Sequence, residues 1–203
     1  MFLNYFIYRE VAILIDNVLI VSTSQKAIDF FSEMLMQNSY SNIVVTSNCS
    51  HARRLFIERS FELCIINCPL KDEFGVNFAI EISNRSITQV ILVVKNELED
   101  EISSKVEDYG IFVIGKPINR MVFWSVLKLA NASYNKILQL KDENNELLEK
   151  INDIRLIDRA KCILIQYLKM TEAEAHRYIE KNAMDLRITK KQVAENILKT
   201  YEI

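Results

Sequence analysis

Residues 61–75 read FELCIINCPLKDEFG, and this stretch decides the fold. Leu63, Cys64, Ile65 and Ile66 form a run without a polar residue. A strand covered on both faces reads this way, whereas a strand with one wet face alternates. Asn67 closes the run, and the following loop carries Pro69, Lys71, Asp72, Glu73 and Gly75, the punctuation of a strand-to-helix turn. Phe78, Ala79 and Ile82 then recur at helical spacing.

The same strand–helix unit repeats on either side. Upstream, Val18–Val21 is a buried strand, and Ala27, Ile28, Phe31, Met34 and Leu35 share one helical face. Residues 43–45 are a second strand, followed by Ala52, Leu55 and Phe56 on a helix. Downstream come strands at Val90–Val94 and Ile111–Ile114. Five apolar strands alternating with helices predict an α/β doubly wound domain over residues 17–120. Its five-stranded parallel sheet is covered on both faces, and its functional crevice lies at the carboxyl ends of the strands.

Beyond Lys116-Pro117 the pattern changes. Residues 118–168 contain neither glycine nor proline, and an ideal helix of that length would run roughly 75 Å. Phe123, Val126, Ala130, Ser133, Ile137, Leu140, Asn144, Leu147, Ile151 and Ile154 recur in alternating steps of three and four. This is a heptad seam with Ile137 and Ile151 at a positions and Leu140 and Leu147 at d, the combination that favours two parallel strands. Asn144 is the amide that fixes register. The seam predicts a homodimer through a coiled coil over residues 121–152. The flanking positions fit less well, because Lys136 would face Lys141 across the seam, and Lys150 would face Arg155. The other reading of the same stripe is a lone helix packed back on its own domain.

Residues 153–203 read as a bundle of three short helices. Thr171 to Glu174 has capping-box spacing and opens the second, and Thr189 to Gln192 opens the third. Ala175, Tyr178, Ile179 and Ala183 line one face of the middle helix, and Val193, Ala194, Ile197, Leu198 and Tyr201 one face of the last.

Composition narrows the function classes. The 203 residues carry a formal net charge of −2 and only 3 glycines, so any nucleic-acid patch is local and glycine-rich phosphate loops are excluded. Residues 152–203 alone are net positive, with Arg177, Lys181, Arg187, Lys190 and Lys191 around the last turn. Cys49, Cys64, Cys68 and Cys162 make no zinc set, since no second pair or nearby histidine completes one. His176 likewise has no partner ligand in the sequence. No cofactor or metal site and no catalytic residue is predicted, and free thiols suit a cytoplasmic location. Residues 1–16 are apolar, but Arg9, Glu10 and Asp16 interrupt them. They read as an extension packing on the first domain, not as a membrane span.

The 61–75 stretch resembles the third-strand region of response-regulator receiver domains, in which an aspartate ends the strand and a proline-containing loop leads to glycine. The matching residues here are Asn67, Pro69 and Gly75, and the likeness extends from Asn17 to Ile118 through Lys116-Pro117. The departures fall on the chemistry that the resemblance implies. Asn67 stands at the phosphoacceptor position, Ser22 and Thr23 at the magnesium-holding acids, Val94 at the strand-four hydroxyl and Val113 at the aromatic switch. An amide forms no acyl phosphate, and neutral side chains leave Mg²⁺ unmatched. The domain is therefore expected to be a pseudo-receiver that meets a partner signalling protein or some input other than phosphate. Asp72 and Glu73, the remaining acids of the loop, are expected to be solvated.

Residues 157–198, IDRAKCILIQYLKMTEAEAHRYIEKNAMDLRITKKQVAENIL, resemble the ANTAR domain of transcription antitermination regulators. The resemblance rests on Ala160-Lys161, Ala175, Ala183-Met184 and Val193-Ala194, all at the family's spacing. Cys162 departs from the usual glycine, and Ile154 from a frequent arginine. What the resemblance implies is binding to RNA hairpins in leader transcripts, by dimers with a sensor domain in front. The candidate RNA contacts are Lys161, Arg177, Lys181, Arg187, Lys190 and Lys191, with Met184 and Thr189 as base contacts. Two other classes stay open. A DNA-binding regulator would need a last helix richer in base-reading residues than Gln192 and Asn196 provide. A protein-interaction scaffold would show no affinity for structured RNA.

Overall fold

A computed structural model describes residues 17–38 and 40–201. The expected amino-terminal extension, residues 1–16, lies outside them. The chain divides into two compact units, Met1–Gln139 and Leu140–Ile203.

The first unit contains strands β1 (Asn17–Val21), β2 (Asn42–Thr46), β3 (Leu63–Asn67), β4 (Gln89–Lys95) and β5 (Phe112–Lys116). They form one parallel sheet in the order β2-β1-β3-β4-β5. Helices α1 (Gln25–Met36), α2 (Cys49–Glu58), α3 (Val76–Arg85) and α4 (Glu99–Val106) connect them. The fifth strand lies one to two residues beyond its expected place, because the ladder aligns Ile91 with Phe112 and Lys95 with Lys116.

The apolar runs are explained by two cores, one on each face. Leu19, Val21, Cys64, Ile66, Leu92 and Val94 point to α2, α3 and α4. The alternate residues Val18, Ile20, Leu63, Ile65, Ile91 and Val93 point to α1 and to a further helix, α5 (Arg120–Leu168). Burying each such side chain contributes about 1.5–3 kcal/mol. Gly75, at the start of α3, is required: its φ is +104°, and a Cβ there would stand 2.9 Å from Ile66 Cγ2.

Helix α5 carries the heptad stripe in two parts, one buried and one exposed. Of the stripe, Phe123 and Ala130 are buried in the core of the first unit and Val126 packs against it, while Ser133 is half-buried; Leu127 and Tyr134, each one position off the stripe, complete the buried face. From Ile137 onward the stripe emerges: Ile137, Leu140, Leu147, Ile151 and Ile154 are all exposed. The first of the three carboxy-terminal helices is the end of α5, which runs unbroken to Leu168.

In the second unit, α6 (Glu172–Leu186) and α7 (Lys190–Tyr201) pack on the last turns of α5. Both capping boxes form. Thr171 Oγ1 accepts from Glu174 N–H, and Glu174 accepts from Thr171 N–H at 2.8 Å. Thr189 Oγ1 accepts from Gln192 N–H at 3.2 Å, and Gln192 Oε1 from Thr189 N–H at 3.0 Å. Ala160, Leu164, Ala175, Ile179, Ala194 and Leu198 form the core. Tyr178, expected on the buried face, is 40% exposed.

The turn between α6 and α7 ends α6 on Arg187 in the left-handed region, with φ +54°. Ile188 N–H closes the turn on Ala183 O at 3.0 Å. Glycine adopts this conformation without the Cβ penalty. Arg187→Gly is therefore expected to raise the stability of the second unit by about 0.5–1 kcal/mol. A thermal melt followed by circular dichroism checks it, and a lower midpoint would contradict it.

Candidate functional site

Two places were expected to carry function: the carboxyl-end crevice of the sheet and the basic turn of the helical unit. In the crevice the structure brings Asn67 and Ser22 together. Both are buried, and Asn67 Nδ2 donates to Ser22 Oγ at 2.9 Å. Ser22 Oγ also accepts from Ser24 N–H at 3.2 Å. Thr23 is exposed, Val94 is fully buried and Val113 half-buried, so Val94 is a packing residue.

Lys116 reaches from the end of β5 across to β3 and donates from Nζ to Cys68 O. Burial holds its ammonium below the ordinary lysine value; the Cys68 sulfur opposes this, and Lys95 adds to it. Among the described residues no carboxylate pairs with Lys116. Cys68 is 1% exposed, and burial pushes its thiol up to about 12, which leaves no thiolate nucleophile at neutral pH.

Asp72 is exposed, as expected, and Glu73 half-buried, but both acids have partners in the fold. Asp72 sits across the amino terminus of α2. It accepts from Cys49 N–H at 3.1 Å and from Ser50 N–H at 2.9 Å. Desolvation works against its charge, but these amide hydrogens hold its carboxyl below the usual range. Glu73 pairs with Arg53, whose Nε also reaches Glu81 at 2.8 Å. Both loop acids are thus committed to holding the β3–α3 loop against α2 and α3. The sequence carried no sign of this, because the partners lie twenty or more residues apart. Among the described residues no cluster of three or more histidine, cysteine or carboxylate side chains could hold a metal ion.

In the helical unit the structure sorts the basic residues. Lys161 is mostly buried and pairs with Asp158 at 2.8 Å and Glu172 at 3.5 Å. Lys190 pairs with Glu180 at 2.6 Å, and Lys191 with Asp153 at 2.8 Å. Arg177, Lys181 and Arg187 are exposed and make no ion pair among the described residues. Met184 is 78% exposed on the same turn. Thr189 is exposed, but its hydroxyl is engaged in the capping box of α7. His176 is exposed and contacts Glu180 at 3.2 Å.

Residues 145–198 match the ANTAR domain family. The match places an ANTAR domain within the second unit. The ANTAR match begins within α5 and ends near the carboxyl end of α7, so it takes in the basic turn and both capping boxes. The transcriptional regulatory protein PdtaR of Mycobacterium tuberculosis is 26% identical over 169 residues, covering 83% of this chain and 82% of that protein. The aliphatic amidase regulator of Pseudomonas aeruginosa is 28% identical over 111 residues, covering 55% of this chain and 57% of its own.

In front of the ANTAR segment the fold is that of receiver domains. The signal receiver domain of an HD domain-containing protein from Pseudomonas fluorescens superposes with a TM-score of 0.55 at 17% identity, covering 61% of this chain and 92% of that one. A CheY-like receiver domain from Methanospirillum hungatei superposes with a TM-score of 0.54 at 18% identity, covering 60% of this chain and 98% of its own. No helix among the described residues is long and apolar enough to cross a membrane.

Proposed function

We propose that this chain is an RNA-binding transcription antitermination regulator that grips leader-transcript hairpins through its ANTAR unit. The observation that carries the reading is the trio Arg177, Lys181 and Arg187, exposed cations within the matched segment that make no ion pair within 4 Å among the described residues, although Arg177 also acts on Glu174. Hairpin loops offer phosphates and unstacked bases together, and free basic groups beside exposed apolar ones suit both. Met184 is assigned a base contact, and Thr189 contributes mainly through its cap. Lys161, Lys190 and Lys191 share their charge with acidic partners and contribute less. The experiment is binding of a two-hairpin leader RNA against a scrambled-loop control, titrated with salt. Wild-type binding indifferent to loop sequence would overturn the reading.

The receiver-like domain acts without phosphate. Asn67 has no carboxylate to phosphorylate, Ser22 accepts its amide hydrogen, and Asp72 and Glu73 are held by α2 and Arg53. Acetyl phosphate with Mg²⁺ is expected to leave the intact mass unchanged. A stable gain of one phosphoryl group at any residue of the crevice would contradict this.

The functional species is a homodimer through the exposed part of the α5 seam, from Ile137 and Leu140 through Asn144 and Leu147 to Ile151. A row of exposed aliphatic side chains at heptad spacing supports it. Asn144→Ile is expected to raise stability while loosening oligomer specificity. Light scattering at roughly tens of micromolar should report a dimer for the wild type. A monomer there would refute the seam.

A further inference from the structure

We propose that a hollow between α2 and α3 binds a small aromatic monocarboxylate, its ring on a phenylalanine floor and its carboxylate on Arg85. As an input site it rests on the reading that the receiver-like domain acts without phosphate, and it does not depend on the RNA-binding reading. The hollow has a volume of about 300 Å³, at the small end of the roughly 300–1,000 Å³ of small-molecule sites. Phe56, Phe78 and Ile82 line it, together with Arg53, Glu81 and Arg85.

Charge sets the polar end of the ligand. The lining holds two guanidiniums and one carboxylate. Glu81 is divided between them, with Oε2 at 2.8 Å from Arg53 and Oε1 at 2.9 Å from Arg85. Arg53 has a second carboxylate in Glu73, outside the hollow. Among the described residues Arg85 has only its share of Glu81, on a side chain that is 78% exposed. An exposed pair of this kind is held weakly, so Arg85 can exchange Glu81 for a ligand carboxylate. Its guanidinium then takes both carboxylate oxygens through parallel hydrogen bonds, which also orients the ring.

Packing sets the apolar end. Phe78 and Ile82 are buried and Phe56 half-buried. The two phenylalanine rings stand edge to face, with centroids 6.2 Å apart and planes at 75°. A further flat ring adds to such an arrangement, because aromatic pairs favour edge-to-face and offset contacts. An amphipathic partner helix would need apolar anchors one and two turns apart along a groove, and here charged side chains border a floor the size of one ring. Ile57 also lines the hollow and is 86% exposed, so it stands at the mouth. Arg53 joins the site to the crevice, since it lines the hollow and holds Glu73 on the loop that follows Asn67.

The test uses the full-length protein with benzoate, phenylacetate, 3-phenylpropionate and indole-3-acetate, each beside its uncharged primary amide, and reads affinity by ligand-observed NMR. At least one carboxylate is expected to bind with a Kd of about 1 mM or tighter, and its amide about tenfold more weakly. Arg85→Gln should weaken binding about tenfold. Ile57→Glu should do so by a similar factor, through repulsion at the mouth. Arg85→Lys keeps the charge without the fork and should retain part of the affinity. Both positions are exposed, so folding should survive, with circular dichroism as the control. A bound carboxylate should also slow amide hydrogen exchange over residues 68–75, through Arg53 and Glu73.

No binding by any of the four carboxylates at about 10 mM would overturn the site. So would amides that bind as well as the acids. Binding that survives both Arg85→Gln and Ile57→Glu would place the carboxylate elsewhere on the chain and overturn it too. Unchanged exchange over residues 68–75 with a carboxylate bound would overturn the link to the crevice. Weaker self-association of the same variants, with no carboxylate bound by the wild type, would give the hollow to a second copy of the chain. A phosphoryl gain from acetyl phosphate would overturn the phosphate-independent reading and leave the binding site standing.

Discussion

Phe123→Ala is expected to cost the first unit about 3–5 kcal/mol of stability. Phe123 lies on α5 and is fully buried, with its ring centroid 5.3 Å from that of Phe31 and 5.7 Å from that of Phe30. Removing the ring forfeits its transfer energy and opens a cavity that the flanking sheet, held by ladders on both sides of β1, β3 and β4, fills poorly. Leu147→Ala, in the exposed part of the same helix, should leave the unfolding of the first unit nearly unchanged. Urea denaturation followed by the fluorescence of Trp124, the single tryptophan, separates the two. A loss below about 1 kcal/mol for Phe123→Ala would mean that the start of α5 is not part of that core.

Neutralising Arg177, Lys181 and Arg187 together to glutamine should flatten the slope of log K against log [salt] for hairpin RNA by roughly 2 to 3. Each of these cations releases counterions on meeting a phosphate, and each such contact carries roughly 0.7–0.9 of slope. Lys190→Gln is expected to change the slope less, because its charge is shared with Glu180; losing that exposed pair should leave stability nearly unchanged. Arg187 adds a second signature. If the arginine is kept in a left-handed turn for its guanidinium, Arg187→Gly gains stability and loses affinity at once, whereas a purely structural residue would not separate the two. A triple variant that binds with the wild-type slope would remove these residues from the interface.

The fold was legible because its determinants are local or periodic. The unbroken apolar run of Leu63–Ile66 demands cover on both faces, and it has it. The capping boxes at Thr171 and Thr189 need only residues three apart, and both closed as their spacing implied. The loss of carboxylates at Asn67, Ser22 and Thr23 can likewise be read residue by residue. By itself, then, the sequence determined the parallel sheet, the helical unit that follows it, and the amide and hydroxyls that stand where the receiver resemblance implies carboxylates.

Only the tertiary structure divided the α5 stripe between a core and an open seam. Phe123 and Ile137 have the same heptad character, and what distinguishes them is whether a sheet stands opposite. It also decided which cations are free. A lysine's charge is a property of the residue, but its availability depends on an acid brought near by folding, as Glu180 is to Lys190 and Asp153 to Lys191. Asp72 and Glu73 followed the same rule from the acidic side: read as solvated loop residues, they are held by amides and an arginine twenty or more positions upstream. Local pattern and periodicity act over a few residues and survive in the sequence. Pairing across the fold does not, because nothing in one segment encodes which distant charge will lie beside it.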